Sequence, residues 1–297
     1  MLITEGKTKR ILASATPQEV LLETKDDLTG GDAAKRETIA GIAVHKTAQA
    51  RHVFELLNRR GIPTAYLGAE SPVRLRCAAC TMLPLELVTR RYAWGSYLKR
   101  DPALAGSKPH RFAELKTEFF HKHACVVPPL VPKPVQMDEG KARELYLKGG
   151  VWADGVYTDP FIRIEKGRWY LHSAKVPVDP ARTLMETPAL LNPEETEFLI
   201  RRIMIPVFEA LEQAWAKVET AGGRVALVDL KIECGRRQRD GKLVVADVVD
   251  NDSWRIWPGA DPARQLDKQL FRDGHALSEV AEKYELVARL TESFARS

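Results

Sequence analysis

Residues 227–257, LVDLKIECGRRQRDGKLVVADVVDNDSWRIW, constrain this chain more than any other stretch. Val228, Leu230 and Ile232 alternate with Asp229, Lys231 and Glu233, the period of a strand with one buried face. Residues 235–241, GRRQRDG, have the glycines and charges of a turn, and the apolar run 243–246 then leads to Asp247. The stretch therefore predicts a hairpin whose first strand projects Asp229, Lys231 and Glu233 from one face. Glu233 and Asp247 fall near each other where its two strands pair. Converging carboxylates with a lysine among them suit one or two Mg²⁺ ions holding a polyphosphate. Spacing alone is equally compatible with a solvated hairpin face.

A second stretch reads toward the same chemistry. Residues 1–30 predict a hairpin in which Gly6 permits a tight turn and Lys7 and Lys9 place ammonium groups beside it. Glycine loops that cover phosphates are built this way, although GKTK lacks the spacing of a Walker A loop. Two solvated lysines in a turn is the plainer reading. A loop at 30–35 leads to a helix over 35–60, with Ile39, Ile42, Ala43, Val53, Leu56 and Leu57 on its buried face. His45 and His52 on that helix are read as packing or surface residues, not as a metal pair. Residues 62–67 and 74–83 read as strands, and 84–100 as a strand running into a short helix. Glu86 is placed to accept from the sugar or base of a nucleotide. Arg90 and Arg91 are consecutive, so on a strand only one can serve a given site.

These stretches, in order, carry a family resemblance. The hairpin with residues 250–259 (DNDSWRIWPG) and 266–273 (LDKQLFRD), residues 5–12 (EGKTKRIL) and residues 84–100 (PLELVTRRYAWGSYLKR) resemble the SAICAR synthetase family, in wording nearest its animal-type form. The resemblance implies a two-lobed α+β fold similar to the ATP-grasp arrangement, with ATP between the lobes. Its N-terminal ATP-covering lobe is expected over 1–85, and its larger lobe, with the substrate site, over 86–297. It implies ATP-dependent amide formation between carboxyaminoimidazole ribonucleotide and L-aspartate, yielding ADP and phosphate. A paralogue joining another amine or heterocycle is the alternative.

Roles follow residue by residue from that resemblance. Gly6, Lys7, Lys9 and Glu86 are expected at ATP, and Glu233 and Asp247 at Mg²⁺. Lys231, Asp229 and Lys122 are expected at the chemistry. Arg90, Ser96, Asp252, Arg255 and Arg272 are expected at the ribonucleotide. Trp94 stands where relatives have a small residue. The resemblance fails over 101–190, with a divergent insertion expected at about 121–190. There EFFHKHACVVPPL (118–130) keeps Lys122, while His123 and Ala124 replace an acidic pair; Asp159, in TDPFI, is expected to supply the missing charge. Residues 155–172 read as an added hairpin turning at EKG, and the proline-rich 126–135 cannot be helical.

Composition bounds the rest. A chain of 297 residues, 44% apolar and 29% charged, is ordinary for a soluble globular protein of one large domain or two lobes. A net charge of +5, dispersed, does not argue for nucleic acid, and no apolar run suits a membrane span. The expected partners are small-molecule substrates, with a homo-oligomer left open, and the expected location is cytoplasmic. Cys77, Cys80, Cys125 and Cys234 are then reduced thiols. Cys77 and Cys80 with His121, His123 and Cys125 have spacings that zinc accepts, but Cys77 and Cys80 sit in a strand-like run and no zinc is expected.

Toward the C-terminus, Asn192 and Pro193 begin a helix predicted over 192–221, burying Phe198, Leu199, Ile203, Val207, Leu211 and Trp215 and kinked by Pro206. A last helix over 277–295 is expected to pack from outside.

Overall fold

A computed structural model describes residues 1–30, 35–122, 124–127, 135–153 and 155–296. The chain divides into two compact units, one made of residues 1–82 and 201–297, the other of residues 83–200. Both mix helices with antiparallel strand ladders, so the architecture is α+β. The expected division at 85/86 agrees with the first boundary only, because residues 201–297 fold with the N-terminal segment. No described helix is long and apolar enough to cross a membrane.

In the first unit, Leu2–Glu5, Lys9–Ala13, Glu19–Thr24, Arg74–Ala78 and Tyr66–Ser71 form a five-stranded sheet in that order. The turn at Gly6 is closed by its own N–H, which donates to the Lys9 carbonyl at 2.8 Å. The helix expected over 35–60 begins later, spanning Ile42–Arg59. Its would-be first turns, Lys35–Thr38, pair instead with Asp27–Gly30. Asp26 fixes the new start: its carboxylate accepts from Gly41 N at 3.1 Å and Ala43 N at 2.9 Å, satisfying donors that a helix end leaves orphaned. The loop residues 31–34 lie outside the described residues.

The hairpin reading of 227–246 needs correction. Strand Gly223–Ile232 pairs with Trp254–Pro258, opposing Asp229 to Arg255. A separate arm, Cys234–Arg237, pairs with Leu243–Val245 on one side and Cys80–Met82 on the other. The chain steps between the two ladders at Glu233. Gly235 lies where the second ladder is tightest: a Cβ there would stand 2.9 Å from Cys80 Cβ, so the strand approach requires glycine.

The helix predicted over 192–221 starts as expected. Asn192 accepts from Glu195 N at 2.8 Å, and Glu195 accepts from Asn192 N at 3.2 Å, a reciprocal capping box with Pro193 behind it. It then widens into a π-helical turn, Leu199–Met204, just before Pro206, which has no N–H to donate. The helix resumes over Ile205–Trp215 and ends there; Glu219–Thr220 is strand. Leu199, Ile203, Val207, Leu211 and Trp215 are fully buried, but Phe198 is 40% exposed. The final helix, Leu277–Thr291, buries one face, with Val280, Tyr284 and Val287 and, beyond it, Phe294, while Glu279, Glu282, Glu285 and Arg289 stay exposed. Phe294 and Trp254 meet Trp215 edge-on, with ring centroids 5.0 and 5.3 Å away.

In the second unit, Leu85–Tyr92, Arg111–His121, Phe161–Glu165, Arg168–His172 and Met185–Thr187 pair successively. The predicted EKG turn is a two-residue loop in which Lys166 and Gly167 both have positive φ, 48° and 80°. That geometry matches the twist of the paired strands. The hairpin it closes extends the sheet and is not an appendage. Ala124–Val127 lies between Val135–Asp138 and Tyr157–Thr158 in a smaller sheet. The proline-rich residues 128–134 lie outside the described residues.

Candidate active site

In the first unit, the residues predicted for ATP and metal are brought together in part. Lys9 reaches from its strand to Asp247, Nζ to Oδ1 at 2.6 Å. Asp247 Oδ1 also accepts from Val248 N at 2.9 Å, which fixes the carboxylate. The Glu233 carbonyl accepts from Ala246 N at 3.0 Å, so the backbone holds Glu233 beside the segment bearing Asp247. Lys231 Nζ lies 3.3 Å from Glu233 Oε1. Lys7 is exposed in the Gly6 turn. A Lys9–Asp247 pair and a Lys231–Glu233 pair thus lie on adjoining segments, with Lys9 brought in from far along the chain.

Oxygen donors of this kind fit Mg²⁺, which is held by one or two carboxylates together with substrate phosphates and waters. Among the described residues there is no group of three or more His, Cys, Asp or Glu placed to hold a metal alone. A two-carboxylate site completed by nucleotide is consistent with both facts.

The strand carrying Lys231 also carries Asp229, whose Oδ2 accepts from Arg255 Nη1 at 2.5 Å. Arg255 Nε is buried with no acceptor among the described residues. A half-buried guanidinium with an unused donor is a ready contact for an anionic group. Asp252 has three partners of its own: Oδ2 receives Lys46 Nζ at 3.1 Å and Lys268 Nζ at 3.2 Å, and Oδ1 receives the Tyr284 hydroxyl at 2.5 Å. The two ammonium groups hold the Asp252 carboxyl far below its usual range despite burial. Burial, joined by the Asp252 charge, raises Asp250. Asp252 therefore anchors the turn that leads into the strand bearing Arg255. Arg272 ends the helix Gln269–Arg272 on the surface, with Nη1 3.3 Å from Gln269 Oε1.

Lys46, Lys268 and Tyr284 were missed by the sequence reading. Lys46 was legible, since Ile42, Lys46 and Val53 share a helical face and Lys46 is fully buried on it. Asp267 was also missed. Its carboxylate accepts from Gln269 N at 2.9 Å and Ile256 N at 3.2 Å, and burial raises it to about 6.

In the second unit, Arg90 and Ser96 come together as expected, Nη2 to Oγ at 3.5 Å. Arg91 turns the other way, to the Ala113 carbonyl at 3.1 Å. Glu86 opposes Phe120 in the ladder. Lys122 is tied by its N–H to the Pro84 carbonyl at 3.0 Å. Asp159 N donates to the Ala124 carbonyl at 3.0 Å, and His121 N to the Pro160 carbonyl at 3.0 Å. The Asp159 step thus returns to His121 and Ala124, with Asp159 in the left-handed region at φ 42°, which aspartate tolerates. His123 lies outside the described residues. His121 bonds through Nε2 to Gln136 at 3.0 Å, and burial raises the thiols of Cys77 and Cys125 to about 12 and of Cys80 to about 11. His52 is a packing residue, its Nδ1 2.9 Å from Thr291 Oγ1.

A glycine turn with lysines and paired carboxylates, on this α+β frame, defines an enzyme that handles a nucleotide polyphosphate. The pattern of the SAICAR synthetase family matches residues 2–128 and 177–290, and the chain belongs to that family. Its activity class is that of an ATP-dependent carbon–nitrogen ligase of purine biosynthesis. Phosphoribosylaminoimidazole-succinocarboxamide synthase of Chloroflexus aggregans is 38% identical over 97% of this chain and 94% of its own. The multifunctional protein ADE2 of Gallus gallus is 31% identical over 98% of this chain and 58% of its own. A solved SAICAR synthetase (Type-2) in complex with ADP superposes with a TM-score of 0.70, at 25% identity, over 98% of this chain and 97% of its own.

The Chloroflexus protein is nearer in identity than the animal one, contrary to the motif wording. The expected insertion also shrinks: the family pattern skips only 129–176, and the Chloroflexus protein aligns through it.

Proposed function

We propose that the chain joins the carboxylate of carboxyaminoimidazole ribonucleotide to the amine of L-aspartate, converting ATP to ADP and phosphate. The observation carrying this reading is the contact of Lys9 with Asp247 beside Glu233. A carboxylate is a poor electrophile, so its oxygen takes the γ-phosphoryl group; the amine nitrogen then attacks the carbonyl carbon, and phosphate leaves with the oxygen. Lys7 and Lys9 bind nucleotide phosphates, Lys9 exchanging Asp247 for a phosphate oxygen. Mg²⁺ held by Glu233 and Asp247 supplies neutralisation of the polyphosphate charge. Lys231 faces developing negative charge, and Gly6 lets the turn approach the phosphates.

Arg90, Ser96, Arg255 and Arg272 bind the ribonucleotide. The orphaned Arg255 Nε supports this, with Asp229 orienting the guanidinium and Asp252 anchoring the turn before its strand. Glu86 accepts from the adenosine. Lys122 binds an aspartate carboxylate and Asp159 its ammonium, supported by the return of the Asp159 backbone to residues 121–124. A cytoplasmic setting follows from this metabolic role. ADP release with the ribonucleotide, scanned over amino acids, tests the reading: aspartate alone supports rapid turnover. Turnover with a different amine and none with aspartate overturns it.

A further inference from the structure

Arg100 is a charge kept inside the second unit. Its side chain is 3% exposed, with Nη1 donating to the Ala174 carbonyl at 2.9 Å and Nη2 to Glu118 Oε1. The rings of Tyr97, Phe120 and Phe161 surround it, their centroids 5.7, 5.1 and 4.7 Å from its central carbon. The other Glu118 oxygen, Oε2, accepts from Arg90 Nε at 2.5 Å. One buried carboxylate therefore serves two buried guanidiniums, and the three groups together carry a formal charge of +1.

Burial opposes this arrangement and lowers the Arg100 pKa from its ordinary value, with Glu118 pulling the other way. A fold that needed only packing here would be served by an apolar side chain in place of Arg100, leaving Arg90 and Glu118 as a balanced pair. The odd charge is retained, three aromatic faces accommodate it, and Arg90 directs Nη2 toward Ser96.

We infer that Arg100 is a positioning residue for the anionic end of the ribonucleotide: it shares Glu118 with Arg90, so the carboxylate fixes Arg90 without cancelling its charge. The inference rests on reading Arg90 and Ser96 as ribonucleotide contacts. Loss of Arg100 hands Glu118 wholly to Arg90 and makes the remaining pair neutral.

Steady-state kinetics on the full chain tests this. Arg100→Met raises KM for the ribonucleotide about tenfold or more, while kcat and KM for ATP stay within about twofold. Adding Glu118→Gln returns the group to a formal +1 and brings that KM back to within about threefold of wild type. A merely structural role predicts no such rescue, so a double variant as impaired as the single overturns the inference. So does an unchanged ribonucleotide KM, or an equal rise for ATP. If thermal melting shows that Arg100→Met does not fold, Arg100→Lys decides: the retained charge keeps KM within about threefold, and a tenfold rise sinks the proposal. Arg90→Gln separates the two levels. If it leaves the ribonucleotide KM unchanged, the site reading fails and the inference with it; if it raises KM where Arg100→Met does not, the inference alone fails.

Discussion

Lys9 and Asp247 stand 238 residues apart in sequence and meet at 2.6 Å. Each side chain satisfies the other; in the function proposed above, a nucleotide would supply phosphate to the lysine and a metal ion to the carboxylate. On that proposal the two ligands would enter by exchange and not into a vacant pair.

Lys9→Ala removes a charge-assisted contact to phosphate, about 1.5–3 kcal/mol where desolvated. KM for ATP rises accordingly, with KM for the ribonucleotide little changed. An ATP KM within twofold of wild type would take Lys9 out of the nucleotide site.

Asp247→Asn and Glu233→Gln abolish turnover. Their stability costs differ, because Glu233 is nearly buried beside Lys231 whereas the Asp247 side chain is 26% exposed. Thermal melts should show Glu233→Gln as the more destabilised of the two. Near-normal turnover in both would place the metal elsewhere.

Asp229→Asn leaves Arg255 without its buried carboxylate, a loss of about 3 kcal/mol. Denaturant titration checks it; a midpoint equal to wild type means that the pair contributes nothing.

Asp267 makes stability fall with rising pH. Its carboxyl titrates at an ordinary 3.8 in the unfolded chain and at about 6 in the fold, because burial favours the protonated form. Its contribution is full below the unfolded value, declines as pH rises through about 6, and is flat above; it amounts to about 3 kcal/mol. Unfolding free energies at pH 4 and pH 7 measure it, and Asp267→Asn flattens that segment of the profile. A wild type equally stable at both, with the variant superimposed, refutes the assignment.

Asp159→Asn weakens the use of aspartate at least about tenfold, or 1.4 kcal/mol, with ATP binding unaltered. Unchanged KM and kcat for aspartate would remove Asp159 from the amine site.

Much of this was legible from period and chemistry. The Asn192 capping box and the Lys166–Gly167 turn are local, so a short run of sequence suffices to read them. Pairing across distance was not legible. Asp229 alternates correctly for a strand, but nothing local says that its partner strand bears Arg255 and not the nearer 243–245 run. The helix start failed for the same reason, since the cap at Gly41 and Ala43 comes from Asp26. The ion pairs of Asp252 were not legible either, because Lys46, Lys268 and Tyr284 lie outside its own stretch of sequence.

The first unit is assembled from residues 1–82 and 201–297, with the second inserted between them. During synthesis, residues 83–200 are complete while helix Ile42–Arg59 still lacks the helix Leu277–Thr291 whose Tyr284 carbonyl binds its Gln49. Domains fold as units in the order their chain emerges, so the inserted unit gains structure first and Lys9 waits for Asp247. A nascent chain halted at residue 200 should yield to protease at the N-terminal segment while residues 83–200 resist.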